Sequence, residues 1–192
     1  MEDPDILLRD ELIRRFEEGG QQILSTNFVD LAREEREYLT TADPKDIATY
    51  RTVKKLGILL VVDKNFSKQL SVGNMAINEN DRALELHIPP KIGTKINSLK
   101  DITESLQLVS DYISLHGLKP KYVYGCTYEP IVATAEKRYG FKTIRTGISP
   151  AITGNVLREF HEHADPNREP VIGFIYSTLT EFKKRFPPRT QA

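Results

Sequence analysis

Residues 121–146, KYVYGCTYEPIVATAEKRYGFKTIRT, decide the fold. The run reads strand, helix, Gly-Phe, strand. Tyr122 to Cys126 is the first strand. Pro130 suits a first helical turn, where a missing N–H costs nothing. Ile131, Ala135 and Tyr139 then recur at helical spacing. Gly140 ends the helix, because glycine tolerates the left-handed conformation needed there. Phe141 to Ile144 resumes an extended run.

Outward from this segment, the best helical stripe in the chain precedes it: Leu99, Ile102, Leu106, Val109 and Ile113, with Ser98 as its N-cap and Gly117 as its stop. Before that, Ile58 to Val62 is apolar and β-branched, Val72 to Asn78 is a weaker strand, and Arg82 to Ile88 alternates. The turn residues Asn78-Glu79-Asn80-Asp81 make Met75 to Ile88 read as a hairpin. After it, Asn155 to His161 suits a short helix, Asp165-Pro166-Asn167 a turn, and Val171 to Tyr176 a last strand. Thr178 and Glu181 have capping-box spacing for a terminal helix through Phe186.

The first third reads as helical. One helix carries Ile6, Leu8, Leu12, Ile13 and Phe16 and stops at Gly19-Gly20. A second carries Phe28, Leu31 and Ala32 and ends near Tyr38. A third starts at Asp43-Pro44 and runs through Ile47 and Tyr50. The expected architecture is α/β, of the α+β kind: a central mixed, mostly antiparallel sheet flanked by helices. Residues 1–55 form a helical N-terminal segment, either part of the same domain or a small appendage, and residues 56–192 form the main domain.

Composition narrows the function. The 192 residues carry 27 basic and 27 acidic side chains, so no basic excess builds a nucleic-acid groove. No apolar run approaches a membrane span. The single cysteine, Cys126, makes an intrachain disulfide impossible and fits a reducing compartment. The acidic MEDPDILLRDEL start lacks a secretory apolar core. The expected location is the cytoplasm.

The order around residues 121–146 resembles the C-terminal half of the Gcn5-related N-acetyltransferase (GNAT) superfamily, and the resemblance covers roughly Leu56 to Tyr176. It implies acetyl transfer from acetyl-CoA, as co-substrate, to a small-molecule amine. In that family a strand splays from its neighbour to admit the thioester, and the next loop wraps the pyrophosphate with backbone N–H groups at a helix start. Here the matching strand is Arg82 to Ile88 and the matching loop is PPKIGTKIN, residues 89–97. The resemblance places Ile88, Lys91, Gly93, Thr94 and Lys95 at the cofactor, with Glu129 at the family's asparagine position.

The chain departs from the family in two places. Its loop has one glycine, Gly93, where the family has two small residues. Glu129 and Glu136 replace the family's cofactor-positioning asparagine and its tyrosine acid. These departures support the alternative of a catalytically inactive GNAT-like fold that binds a small molecule or an unknown protein. Self-association of the N-terminal helices as a homodimer is a third reading.

Glu85 and His87 are the candidate catalytic residues. They share one face of the strand that would flank the acetyl group, and the resemblance implies that one of them takes the amine proton, directly or through water. Alternation alone also puts polar residues on a half-solvated sheet face. Cys126 has no local base and reads as a buried structural thiol. His161-Glu162-His163 diverge at i, i+2 and read as a surface run, so no metal is expected. Tyr122, Tyr124 and Tyr128 share a face that either lines a pocket or packs under a helix.

Overall fold

The computed structural model describes residues 10–11, 14, 31–42, 50–66, 69–88, 99–148, 156, 167 and 169–189. In chain order these give α1 (Arg33–Thr41), β1 (Tyr50–Leu56), β2 (Leu59–Asn65), β3 (Leu70–Val72), β4 (Met75–Ile77), β5 (Arg82–His87), α2 (Leu99–Leu115), β6 (Tyr122–Tyr128), α3 (Ile131–Tyr139), β7 (Lys142–Ile144), β8 (Ile172–Thr178) and α4 (Leu179–Arg185). Six strands form one mixed sheet in the order β1-β2-β5-β6-β8-β7, and β3 pairs with β4 in a separate two-stranded sheet. Among the described residues, only β5 and β6 run parallel; every other neighbouring pair is antiparallel. Parallel neighbours need a crossover, and α2 lies in it.

One face of the sheet is apolar and covered by helices. Leu84, Leu86, Val123 and Ile175 project onto it and meet Leu106, Val109 and Ile113 of α2, Val132 and Ala135 of α3, and Phe182 of α4. Val109, Ile113 and Val132 are fully buried. Each such side chain contributes about 1.5–3 kcal/mol of transfer free energy, so the α2 stripe helps to hold the crossover in place. Thr178 caps α4 as its spacing predicts: its hydroxyl accepts the N–H of Glu181, whose carboxylate accepts the N–H of Thr178. Gly140 closes α3 at φ 71°.

The other face is covered at two places. Leu39 of α1 packs on Tyr50, Val53, Leu60 and Val62. Val72, Met75 and Ile77 of the β3–β4 hairpin pack on Ala83, Tyr124 and Phe174. A buried carboxylate docks α1: Glu35 accepts the N–H of Ala32 at the helix start (2.9 Å) and the N–H of Lys55 in β1 (2.6 Å).

Two expectations need correction. Tyr50 does not continue a helix; it opens β1, which pairs with β2 along its whole length, so residues 50–55 belong to the sheet. The expected hairpin over Met75 to Ile88 is not formed either. β4 turns back on β3 through Gly73-Asn74, and β5 pairs with β2. A two-residue turn led by Gly73 at φ 54° is a tighter hairpin closure than the four-residue turn at Asn78. The latter instead hands the chain to β5, with Phe66 bonded through its backbone to Asn80 and Asp81. The expected helices at residues 6–16 and 155–161, the Ser98 cap and the turn at 165–167 fall wholly or mostly outside the described residues.

The β1–β2 turn offers a test of the packing. Gly57 has φ 62°, and a Cβ there would lie 2.2 Å from Ser105 Oγ. That hydroxyl accepts the N–H of Ile58 and donates to the Asp101 carbonyl, so it is not free to retreat. Gly57→Ala therefore adds left-handed strain to a collision and is expected to cost about 2 kcal/mol in urea unfolding. A loss below about 0.5 kcal/mol, the range of ordinary surface changes, would show that the turn and α2 are not coupled in this way.

Candidate functional site

The face beneath α1 and the β3–β4 hairpin carries a row of polar and aromatic side chains set by strand register. Tyr50, Lys64, Ala83 and Tyr122 stand opposite one another across four strands. The next row is Val62, Glu85, Tyr124 and Tyr176. His87 follows Glu85 on the same face, opposite Leu60. Ala83 is opposite Lys64 and offers only a methyl group, so the lysine stem leans diagonally over it to Glu85.

Glu85 is the centre of the site. Lys64 Nζ forms an ion pair with Oε2, the Tyr124 hydroxyl donates to Oε2 at 3.1 Å, and His87 Nε2 lies 3.4 Å from Oε1. The carboxylate is mostly shielded, with 17% of the side chain exposed. Burial pushes its pKa up, but the Lys64 ammonium and His87 overcome burial and hold Glu85 well below the usual carboxylate range. Burial, and then the neighbouring Glu85 charge, drive the Tyr124 phenol well above its ordinary value. The same two causes push Cys126 up to about 12. That thiol stays protonated at neutral pH, which agrees with its reading as a structural residue.

His87 is held from a second element. Tyr38 of α1 places its hydroxyl 3.0 Å from His87 Nε2 and its ring 4.8 Å from the imidazole, and it also reaches the Tyr50 hydroxyl at 3.5 Å. The helix docked by Glu35 thus steadies the imidazole. Lys64 Nζ lies 5.9, 5.4 and 5.7 Å from the ring centroids of Tyr50, Phe66 and Tyr124.

The site stands at a fork in the register, where registered pairing between two adjacent strands ends. β5 and β6 are registered over three pairs, Ala83–Tyr122, Leu84–Val123 and Glu85–Tyr124. β5 continues to His87 and β6 to Tyr128 without further registered pairs between them. Beyond Tyr124, β6 remains paired with β8 as far as Tyr128. The strands are still in touch at Gly125, where a Cβ would lie 3.0 Å from the Leu86 carbonyl oxygen.

Of the residues read from the sequence as candidates, Glu85 and His87 come together at this fork, and Ile88 follows directly. Lys91, Gly93, Thr94 and Lys95 lie outside the described residues. Glu129 is occupied within the fold: its Oε2 accepts the Ala133 N–H at the start of α3 and its Oε1 binds Arg145 Nε at 2.8 Å. Arg145 also binds Glu136, whose pKa its hydrogen bond lowers. Tyr139 points to α2, donating to the Leu99 carbonyl at 3.1 Å. Lys64, Tyr38, Tyr50 and Phe66 were not singled out from the sequence. The alternation Leu60, Val62, Lys64 was the available signal for Lys64, because it places a lysine on the inward face of a buried strand.

Among the described residues, no three His, Cys, Asp or Glu side chains are grouped to hold a metal, and no helix is long and apolar enough to cross a membrane. Compared with family models, curated proteins and solved structures, the chain gives no match in any of the three.

Proposed function

We propose that the protein is an acyl-CoA-dependent N-acyltransferase of GNAT-like fold, with acetyl-CoA as donor and a small-molecule amine as acceptor. The observation that carries this reading is the fork itself. Registered pairing between the parallel strands ends at Glu85 and Tyr124, and a carboxylate–imidazole pair stands at that point. An extended thioester arm entering there would run along the ends of β5 and β6 that are not registered with each other. The strand order, with a parallel β5–β6 pair next to the antiparallel strands β1, β2 and β5, supports the same reading.

The two candidate bases divide the work. Glu85 is held as a stable carboxylate and is a weak base. Its use is to accept an ammonium and to stabilise charge on His87. The bound ammonium first releases one proton to solvent; His87, close to both Glu85 and Tyr38, takes the second as the neutral amine attacks the thioester carbonyl. The N–C bond forms, the C–S bond breaks, and the thiolate leaves. Positioning supplies most of the remaining acceleration.

A second reading, an inactive binding module, draws on Arg145. It ties up both Glu129 and Glu136, so neither is a ready acid for the departing thiolate. Titration calorimetry with acetyl-CoA separates the two readings. Micromolar binding is expected for the enzyme; no heat at millimolar ligand would reject it.

A further inference from the structure

Lys64 occupies a setting built for a cation. Its ammonium is paired with Glu85 and lies within 6 Å of three aromatic ring centroids. A cation within this range of a ring is attracted by the ring's negative face, and several rings around one ammonium are a recurring device for recognising ligand cations. The walls come from separate elements. Tyr50 stands in β1, Phe66 follows β2, and Tyr124 stands in β6, each held by other contacts. Tyr124 stacks on Phe174, and the Phe66 backbone is bonded to the Asn80–Asp81 turn. The cage therefore does not depend on Lys64 for its shape. Lys64 itself reaches in from an unbranched four-carbon stem, the most easily withdrawn of all these groups.

We propose that Glu85, Tyr50, Phe66 and Tyr124 form the recognition site for a primary ammonium group of a ligand, and that Lys64 fills this site as an internal stand-in until the ligand displaces it. The inference deepens the acyltransferase reading, on which it rests only for calling that ligand the acceptor. The cage selects a primary over a quaternary ammonium, because Glu85 needs an N–H donor as well as a charge. A tethered lysine competes at an effective concentration in the millimolar range or above. A displacing ligand therefore needs contacts beyond its ammonium, and removing Lys64 should expose the bare affinity of the cage.

The probe is n-butylammonium chloride, with n-butanol, tetramethylammonium chloride and sodium chloride as controls. In the wild-type chain, saturable shifts of the Lys64 Cε and Glu85 Cδ carbon resonances are expected with n-butylammonium alone. In Lys64→Ala, the same amine should raise Tm and bind at least about tenfold more tightly than in the wild type. The double variant Lys64→Ala/Glu85→Gln should lose that response. Wild-type Lys64 resonances that stay fixed at amine concentrations far above those that saturate Lys64→Ala would overturn the proposal, as would equal responses to n-butanol and n-butylammonium. Absence of acetyl-CoA binding with the Lys64 shifts intact would reject acyl transfer and leave the ammonium site standing.

Discussion

Lys64→Met is expected to destabilise the protein by about 3 kcal/mol at pH 7, and by less at pH 4. Breaking a buried ion pair from one side costs about 3–5 kcal/mol, because a charge is left without its partner. The lower end applies here, since Tyr124 and His87 still face Glu85. Both partners are well shielded, at 16% and 17% side-chain exposure, so solvent screening removes little of the effect. Methionine keeps the apolar stem against the rings and isolates the loss of charge.

The pH dependence follows from the two states of Glu85. In the wild type its folded pKa lies below the unfolded value of about 4.3. The carboxylate therefore contributes stability above about pH 4.3, and that contribution is lost as pH falls toward the folded value. Without Lys64, the largest influence opposing burial is gone and the folded pKa rises. The variant therefore gains less stability than the wild type as pH rises from 4 to 7. The gap between the two proteins should widen from pH 4 to pH 7 in urea unfolding. A constant gap would show that another group carries the cost. A gap under about 1 kcal/mol at pH 7 would place the pair among ordinary surface bridges.

The same lysine shows what was legible in the sequence. Elements whose signal is local were readable: the three-and-four stepping of α2, the Pro-helix-Gly-Phe order of α3, and the Thr178–Glu181 cap. Elements whose signal is broken by an irregularity were not. In β1 the register shifts between Tyr50 and Thr52, so Tyr50 and Val53 are both buried although they stand three apart. A strand so interrupted shows no period of two, and its Lys54 and Lys55 add no apolar signal. The β3–β4 hairpin escaped because its strands are three residues long and its competitor turn at Asn78 is equally polar. The site was half legible. Glu85 and His87 could be found because they share a strand with an alternating pattern. Tyr38 and Lys64 could not be assigned to them, because 49 and 21 positions of sequence separate Tyr38 from His87 and Lys64 from Glu85. Only the register of β2 against β5, and the docking of α1 through Glu35, bring them together.

That docking bears on the second large effect. His87→Gln is expected to lower kcat for acyl transfer by about 10²–10⁴-fold, the usual contribution of a positioned general base, with a smaller change in KM for the amine. Glutamine retains a hydrogen-bonding tip for Tyr38 and Glu85, so the face stays packed, but it cannot take a proton. Glu85→Gln should behave differently. It removes the charge that receives the ammonium, so KM should rise along with any fall in kcat. Tyr38→Phe should act only through the imidazole, with a modest loss of kcat and no change in amine KM. If His87→Gln turned over normally while Glu85→Gln did not, the proton would pass to the carboxylate. Such a result would also mean that the carboxylate's pKa rises once Lys64 leaves the cage, since in the Lys64-paired state Glu85 is too weak a base for the task. The kinetic pair therefore reports on both the identity of the base and the position of Lys64 during turnover.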